Sequence, residues 1–145
     1  TSSEITQTAQ QSIDYSLLKG KKILIIEDNH ANMLLTETVL LKTNQDIKIL
    51  KAYNGTKAFK LFEQENPDLI LMDINLAGTD GYTLTKQIRN KDTKTPIVAV
   101  TASALLEERE KCLNSGMNAY LSKPFPPENL RKIILGFFNE KQVND

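Results

Sequence analysis

The chain of 145 residues is 40% hydrophobic and 25% charged, and its 18 basic and 18 acidic side chains give a net charge of zero. These values predict one ordinary globular domain; no basic run indicates nucleic acid, and no apolar stretch approaches the roughly 18 residues that membrane insertion needs. The single cysteine, Cys112, excludes an internal disulfide and fits a reducing, cytoplasmic compartment, where we expect it to pack as a small core side chain.

The two ends of the chain differ in composition from its middle. Residues 1–19 are rich in Thr, Ser and Gln without a clear period, so we expect a linker or flexible N-terminal tail. Because the first residue is Thr1 and not Met, we also expect the chain to be part of a longer protein. The folded domain is predicted over residues 20–140, followed by a frayed C-terminus over residues 141–145.

The predicted domain alternates short apolar runs with helical patterns. The predicted strands cover residues 22–26, 47–52, 68–72, 96–100 and 118–121. The predicted helices cover residues 30–43, 55–65, 81–91, 104–114 and 127–139. Asn54 is a candidate N-cap for the second helix, and Gly116 is a candidate stop after the fourth helix.

The spacing of apolar residues supports two of these helices most clearly. The first helix repeats apolar residues at a helical spacing, at Met33, Leu34, Leu40 and Leu41. The last helix has the cleanest apolar face, formed by Leu130, Ile133, Ile134, Phe137 and Phe138. Both patterns predict amphipathic helices that cover a sheet.

Five strand–helix units of this size predict an α/β fold with a parallel sheet, right-handed crossovers and helices on both faces. The first, third and fourth strands are continuously apolar, as expected of central strands that are buried on both faces. The second strand alternates Ile47 and Ile49 with Lys48 and Lys51, which indicates an edge. We therefore predict a flavodoxin-like (βα)5 doubly wound five-stranded sheet with strand order 2-1-3-4-5.

Chemically useful side chains follow four of these strands. Glu27 and Asp28 follow the first strand, Asp73 the third, Thr101 the fourth and Lys123 the fifth. Each has an ordinary alternative: acidic residues favour helix starts, a threonine often caps a helix, and a lysine before proline is often solvated. Their occurrence at the same position of four strands nevertheless predicts one site at the C-terminal edge of the sheet.

Carboxylates grouped in this way suit a hard cation such as Mg²⁺, which prefers octahedral oxygen ligands and keeps several waters. Asp28 and Asp73 are candidate direct ligands, Glu27 a ligand through water, and a main-chain carbonyl after Asp73 a further ligand. With the metal bound, Asp73 can attack a phosphorus atom, while Thr101 and Lys123 hold the other phosphoryl oxygens.

The motifs around these residues resemble those of a known family over about residues 20–140. They read Ile-Ile-Glu-Asp-Asn after strand one, Leu-Ile-Leu-Met-Asp-Ile-Asn around Asp73, Asp80-Gly81, Val-Ala-Val-Thr-Ala around Thr101, and Lys123-Pro124-Phe125. The chain is thereby similar to the receiver domains of two-component response regulators.

The resemblance implies a role for each of these residues. Asp73 would be the phosphoacceptor, and Mg²⁺ would be bound by the backbone carbonyl of Asn75 together with the three carboxylates, Glu27, Asp28 and Asp73. Thr101 and Lys123 would bind the phosphoryl group, and the Lys123-Pro124 bond would be cis. Tyr120 matches the aromatic switch of the family, which turns inward when Thr101 moves toward the phosphoryl group.

The resemblance also implies partners. A histidine kinase or a histidine phosphotransfer domain would donate the phosphoryl group, and a downstream effector protein or domain would read the surface formed by the fourth helix, fifth strand and fifth helix. The run Glu27-Asp28-Asn29 with Asn32 is similar to receivers attached to hybrid histidine kinases. As an enzyme, such a domain would catalyse only its own phosphorylation and dephosphorylation.

Several alternatives remain open from the sequence. The first is a receiver-like interaction module that is not phosphorylated; the second is an aspartyl-phosphate phosphohydrolase, although these enzymes usually carry a second Asp at the position of Asn75. A flavodoxin-type cofactor binder lacks support because no Gly-rich loop follows the first strand. Ala77 stands where the family usually has Pro, which questions the rigidity of this loop, and His30 is interpreted as a first-turn helix residue.

Overall fold

A computed structural model describes residues 13–76 and 78–143. Five parallel strands form its central sheet, namely β1 (Lys22–Ile26), β2 (Lys48–Ala52), β3 (Leu69–Asp73), β4 (Ile97–Thr101) and β5 (Ala119–Ser122). Their order across the sheet is β2-β1-β3-β4-β5. The predicted parallel sheet and its strand order are therefore confirmed.

Five helices cover the two faces of the sheet. They are α1 (His30–Thr43), α2 (Gly55–Glu65), α3 (Gly81–Arg89), α4 (Leu106–Asn114) and α5 (Pro127–Val143). Successive strand residues point to opposite faces, so one core forms beneath α1 and α5 and a second beneath α2, α3 and α4. The buried strands β1, β3 and β4 supply side chains to both cores, as predicted for central strands.

The helix starts and stops follow the local sequence. The Asn54 side chain accepts a hydrogen bond from the Lys57 N–H at 2.8 Å, which confirms the predicted N-cap of α2. Gly116 follows α4 with φ +110°, a conformation that favours glycine, and this confirms the predicted stop. The Lys123-Pro124 bond is cis, as the resemblance implied.

Strands β3 and β4 extend one residue further than predicted. Asp73 pairs with Val100, and Thr101 pairs with Ser122, so both functional candidates are the last residues of strands and do not follow them. The strand hydrogen bonds thereby fix the backbone of both residues more tightly than a solvent-exposed loop would.

The apolar face of α1 differs from the prediction. Met33 and Leu40 are buried, but Leu34 and Leu41 are 62% and 39% exposed. Thr36 and Val39 fill the remaining buried positions. A helix on a flat sheet buries only a narrow stripe, so the residue adjacent to each buried leucine or methionine points away from the core.

The two chain ends also differ from the prediction. Residues 1–12 lie outside the described part, but Tyr15–Leu18, within the predicted linker, form a short 3-10 helix and Leu18 is fully buried beside α5. The Asn44 side chain donates to the Tyr15 carbonyl at 2.9 Å and holds this turn against α1. Helix α5 continues to Val143, into the segment predicted to fray, and residues 144 and 145 lie outside the described part.

None of the helices in the described part of the chain combines the length and apolar character that crossing a membrane requires.

Candidate functional site

Three carboxylates meet at the C-terminal edge of the sheet. Glu27 and Asp28 follow β1, and Asp73 ends the neighbouring strand β3. One oxygen from each carboxylate lies within 4.8 Å of the others, and Glu27 and Asp73 are only 5% and 7% exposed. Because β1 and β3 are adjacent and parallel, the sheet brings together side chains that are 45 or 46 positions apart in the sequence.

The loop after Asp73 folds back onto the end of β3. The Asn75 N–H donates to Asp73 Oδ1 at 3.1 Å, and the Gly81 N–H donates to the Ile74 carbonyl at 2.7 Å. A Cβ on Gly81 would lie 2.9 Å from Ile74 Cα and 3.0 Å from the Asp73 carbonyl oxygen. Glycine is therefore required at the start of α3 for this close approach. Ala77 lies outside the described residues, so the effect of the missing proline stays a prediction.

A lysine bridges two of the carboxylates. Lys123 Nζ donates to Glu27 Oε1 at 2.6 Å and lies 3.7 Å from Asp73 Oδ2. The other Glu27 oxygen accepts a hydrogen bond from the Asn29 N–H at 3.2 Å. Glu27 is thereby held by the backbone on one side and by an ammonium group on the other.

The electrostatics of the site leave negative charge in excess. Burial is the main cause that raises the pKa of Asp73 to about 6, and hydrogen bonding and repulsion from Glu27 add to it. The ammonium of Lys123 and the Asn75 N–H oppose this rise in the pKa of Asp73. Three converging carboxylates beside one ammonium form a set of hard oxygen donors, so these residues fit a Mg²⁺ ion.

A backbone hydrogen bond connects Lys123 to Thr101, the last residue of β4. Thr101 is 1% exposed, and its carbonyl accepts a hydrogen bond from the Lys123 N–H at 2.6 Å. The Thr101 hydroxyl oxygen accepts a hydrogen bond from the Ser103 N–H at 3.3 Å. The end of β4 thus carries a hydroxyl group on the same edge as the carboxylates.

Tyr120 lies on the edge strand β5, opposite Ala99 of β4. Its hydroxyl group is buried and makes no hydrogen bond of good geometry with a described residue. Burial raises the pKa of Tyr120, and an interaction with Ser103 opposes this rise. The phenol is therefore turned inward in this structure.

His30 begins α1, as predicted, and its ring stacks on the Tyr53 ring with 4.3 Å between ring centroids. This contact gives the histidine a packing role beside the cleft.

The ion pair between Lys123 and Glu27 had no signal in the sequence. The two residues are 96 positions apart, and a strand pattern does not specify which carboxylate meets the lysine. The sequence predicts that Lys123 binds phosphoryl oxygens, and the structure shows its ammonium in contact with Glu27 and Asp73.

Known proteins resemble this chain in sequence and in structure. A family model described as the response regulator receiver domain matches residues 23–135. The sensor histidine kinase GacS of Pseudomonas protegens is 36% identical over 122 residues, which cover 81% of this chain and 13% of GacS. The chain therefore spans only a small part of this relative.

Solved structures agree with the sequence comparison. The receiver domain of sensor histidine kinase PA1611 from Pseudomonas aeruginosa PAO1, with a magnesium ion coordinated in its active site cleft, is 37% identical with a TM-score of 0.75; the match covers 83% of this chain and 98% of that chain. A CheY-like receiver domain protein from Methanospirillum hungatei JF-1 is 27% identical with a TM-score of 0.78, covering 86% of this chain and 98% of that chain.

Proposed function

The chain belongs to the family of response regulator receiver domains of two-component signalling, and on this basis we propose that Asp73 accepts a phosphoryl group from a phosphohistidine donor. The observation that carries the proposal is the convergence of Glu27, Asp28 and Asp73 beside Lys123 at one strand edge. The donor is a histidine kinase or a histidine phosphotransfer domain.

The proposed transfer is an in-line displacement at phosphorus. A carboxylate oxygen of Asp73 forms the new O–P bond while the P–N bond to the donor imidazole breaks, and the leaving nitrogen keeps the electron pair. Mg²⁺ bound by Glu27, Asp28, Asp73 and the Asn75 carbonyl would neutralise the repulsion between the carboxylates and the incoming phosphoryl group. These ligand roles are part of the proposal.

Two further residues complete the proposed site. Lys123 exchanges its contact with Asp73 for a phosphoryl oxygen, since its flexible stem already places the ammonium 3.7 Å from Asp73 Oδ2. The Thr101 hydroxyl, now an acceptor from Ser103, rotates to donate to another phosphoryl oxygen. Movement of Thr101 is coupled to the inward position of Tyr120, and the surface of α4, β5 and α5 transmits the signal to an effector protein or domain.

The donor is proposed to dock beside Lys123, where apolar surface is exposed. A cleft of about 380 Å³ there is lined by Leu35, Ala102, Pro124 and Phe125, and Leu35 is 60% exposed. Leu35→Asp should slow transfer from a histidine-phosphorylated donor domain but leave phosphorylation by acetyl phosphate unchanged. Leu41→Asp is the matched control, because Leu41 is exposed on the same helix but does not line the cleft.

The proposal is tested by intact-protein mass after incubation with Mg²⁺ and acetyl phosphate. One added phosphoryl group is expected, lost when EDTA is present and absent from Asp73→Asn. Asp92→Asn is the control that should still be labelled. The Asp92 carboxylate accepts hydrogen bonds from the Lys94 and Thr95 N–H groups and is not one of the three clustered carboxylates. A label that persists on Asp73→Asn would refute the acceptor.

The same experiment separates the alternatives. Absence of the adduct together with absence of Mg²⁺ binding would favour a receiver-like interaction module. Steady turnover of a small phosphate ester would favour a phosphohydrolase.

A further inference from the structure

Helix α4 is weakly held at its start. Within α4, which the structure describes completely, Cys112 is the one buried residue, while Leu106 and Leu113 are 66% and 43% exposed. Its N-cap residue, Leu105, makes no side-chain hydrogen bond, whereas α1, α2 and α3 each begin with a capping Asn or Asp. A helix with so few buried contacts and an uncapped start opens at low free-energy cost.

The other end of α4 is fixed. Arg89 Nε donates to the Gly116 carbonyl at 2.9 Å, and Arg89 Nη2 donates to Asn118 Oδ1 at 2.8 Å. The same Asn118 oxygen accepts a hydrogen bond from the Ile97 N–H at 2.9 Å. The turn after α4 is thus attached to α3 and β4, so the N-terminal half of α4 is the part that is free to move.

One side chain of α3 holds that N-terminal half. The Tyr82 hydroxyl donates to Glu108 Oε1 at 2.5 Å and lies 3.8 Å from Cys112 Sγ. Lys111 Nζ lies 4.5 Å from the centroid of the Tyr82 ring. Burial is the main cause that raises the pKa of Tyr82, and the Glu108 hydrogen bond adds to it, so the phenol keeps the proton that it donates.

The position of α4 determines the surroundings of Tyr120. The buried Tyr120 hydroxyl lacks a hydrogen-bond partner of good geometry among the described residues, which is costly for a polar group. Cys112 of α4 belongs to the core against which Tyr120 packs, so the tyrosine ring lies on the side of the sheet that α4 covers. A shift of α4 away from the sheet would expose the Tyr120 hydroxyl to water, and the helix would no longer enclose the tyrosine side chain in its inward position.

We propose that Tyr82 and Glu108 form a latch that holds the N-terminal half of α4 against α3 and thereby stabilises the inward position of Tyr120. The inference rests on the proposed function, because the inward tyrosine is the state that phosphorylation of Asp73 favours. Tyr82 and Glu108 are positioning residues, acting through Tyr120 and without contact with the phosphoryl group. The latch acts by differential stabilisation of one of two populations.

Two readouts on Tyr82→Phe test the latch. This variant keeps the ring and loses only the hydroxyl donor, so the cation–π contact with Lys111 is preserved. In metal-free protein, the amides of the first turns of α4 should exchange hydrogen about tenfold faster, as expected for losing a charge-assisted hydrogen bond. With Mg²⁺ present, beryllofluoride should bind about tenfold more weakly, while the affinity for Mg²⁺ alone stays unchanged.

Matched variants isolate the hydrogen bond. Glu108→Gln retains an acceptor oxygen and should keep most of the protection of the α4 amides against hydrogen exchange. Glu108→Ala removes the acceptor and should behave like Tyr82→Phe. The double variant Tyr82→Phe/Glu108→Ala should be no worse than either single change, since both remove the same bond. Tyr15→Phe, far from α4 in the N-terminal 3-10 helix, should leave both readouts unchanged.

The outcomes distinguish failure of the latch from failure of the proposed function. Unchanged exchange in α4, or additive effects in the double variant, would overturn the latch. Faster exchange with unchanged beryllofluoride affinity would overturn its link to the switch. A wild-type chain that binds neither beryllofluoride nor a phosphoryl group would refute the proposed function, and the exchange data would still decide whether the latch positions α4.

Discussion

Replacing Asp73 with asparagine should stabilise the metal-free domain at neutral pH. The carboxyl is buried beside Glu27, and its pKa rises from 3.8 to about 6, so folding forces an ionised group into an unfavourable position above that pH. Asparagine has nearly the same shape and carries no charge. The raised pKa of Asp73 corresponds to about 3 kcal/mol of lost stability at pH 8.

The sign of the pH dependence follows from linkage. A carboxyl whose folded pKa is raised gives its full contribution to stability below the unfolded pKa and loses it as pH rises through the folded value. The stability of the wild-type chain should therefore fall between about pH 4 and pH 6 relative to Asp73→Asn. The advantage of the variant should be about 1 kcal/mol at pH 4.5 and about 3 kcal/mol at pH 8.

Urea unfolding in EDTA at pH 4.5, 6 and 8 measures this difference. Asp92→Asn is a control in which the change in stability should have the opposite sign. Despite burial, hydrogen bonds from Thr95 and Lys94 hold the pKa of Asp92 below its usual value. This variant should therefore be less stable than wild type at pH 8 and equally stable at low pH. Added Mg²⁺ should stabilise the wild-type chain more than Asp73→Asn. A difference between Asp73→Asn and wild type that does not change with pH would refute the reasoning.

Three further substitutions test other parts of the structure. Leu18→Ala should cost about 2–5 kcal/mol in urea unfolding because Leu18 is fully buried, and a negligible cost would mean that the N-terminal turn is not part of the core. Gly81→Ala should cost about 1–3 kcal/mol and weaken Mg²⁺ binding in calorimetric titration. Gly136→Ala should do neither, because apart from the neighbouring backbone of α5 no atom lies within 4 Å of the new Cβ. Lys123→Gln should raise the pKa of Asp73 further and should therefore destabilise the metal-free domain more at pH 8 than at pH 5. The loss should be smaller than the roughly 3–5 kcal/mol expected for breaking a fully buried ion pair, because Lys123 is partly exposed. Equal losses at both pH values would contradict this prediction.

The parallel sheet was predictable because its signals are local and repeated. Central strands buried on both faces must be continuously apolar, and β1, β3 and β4 are. The same local logic located Asn54 at the start of α2 and Gly116 after α4, since caps and left-handed residues depend on a few neighbouring atoms. The predictions were less accurate for α1, where Leu34 lies beside a buried stripe that the sequence does not delimit.

The sequence by itself determined which residues gather at the carboxyl edge of the sheet, because parallel strands of a doubly wound fold all end there. Glu27, Asp28 and Asp73 meet for this reason. The roles of these residues in binding Mg²⁺ and a phosphoryl group remain a proposal.

Only the tertiary structure decided the contacts between distant side chains. Lys123 reaches Glu27 across 96 positions, and Tyr82 reaches Glu108 across 26, and neither distance follows from a periodic pattern. The buried Leu18 lies in a segment whose composition resembles a linker, yet it completes the core that α1 and α5 form against one face of the sheet. Such pairings depend on how helices pack on the sheet, which a pattern of apolar and polar residues along one chain does not specify.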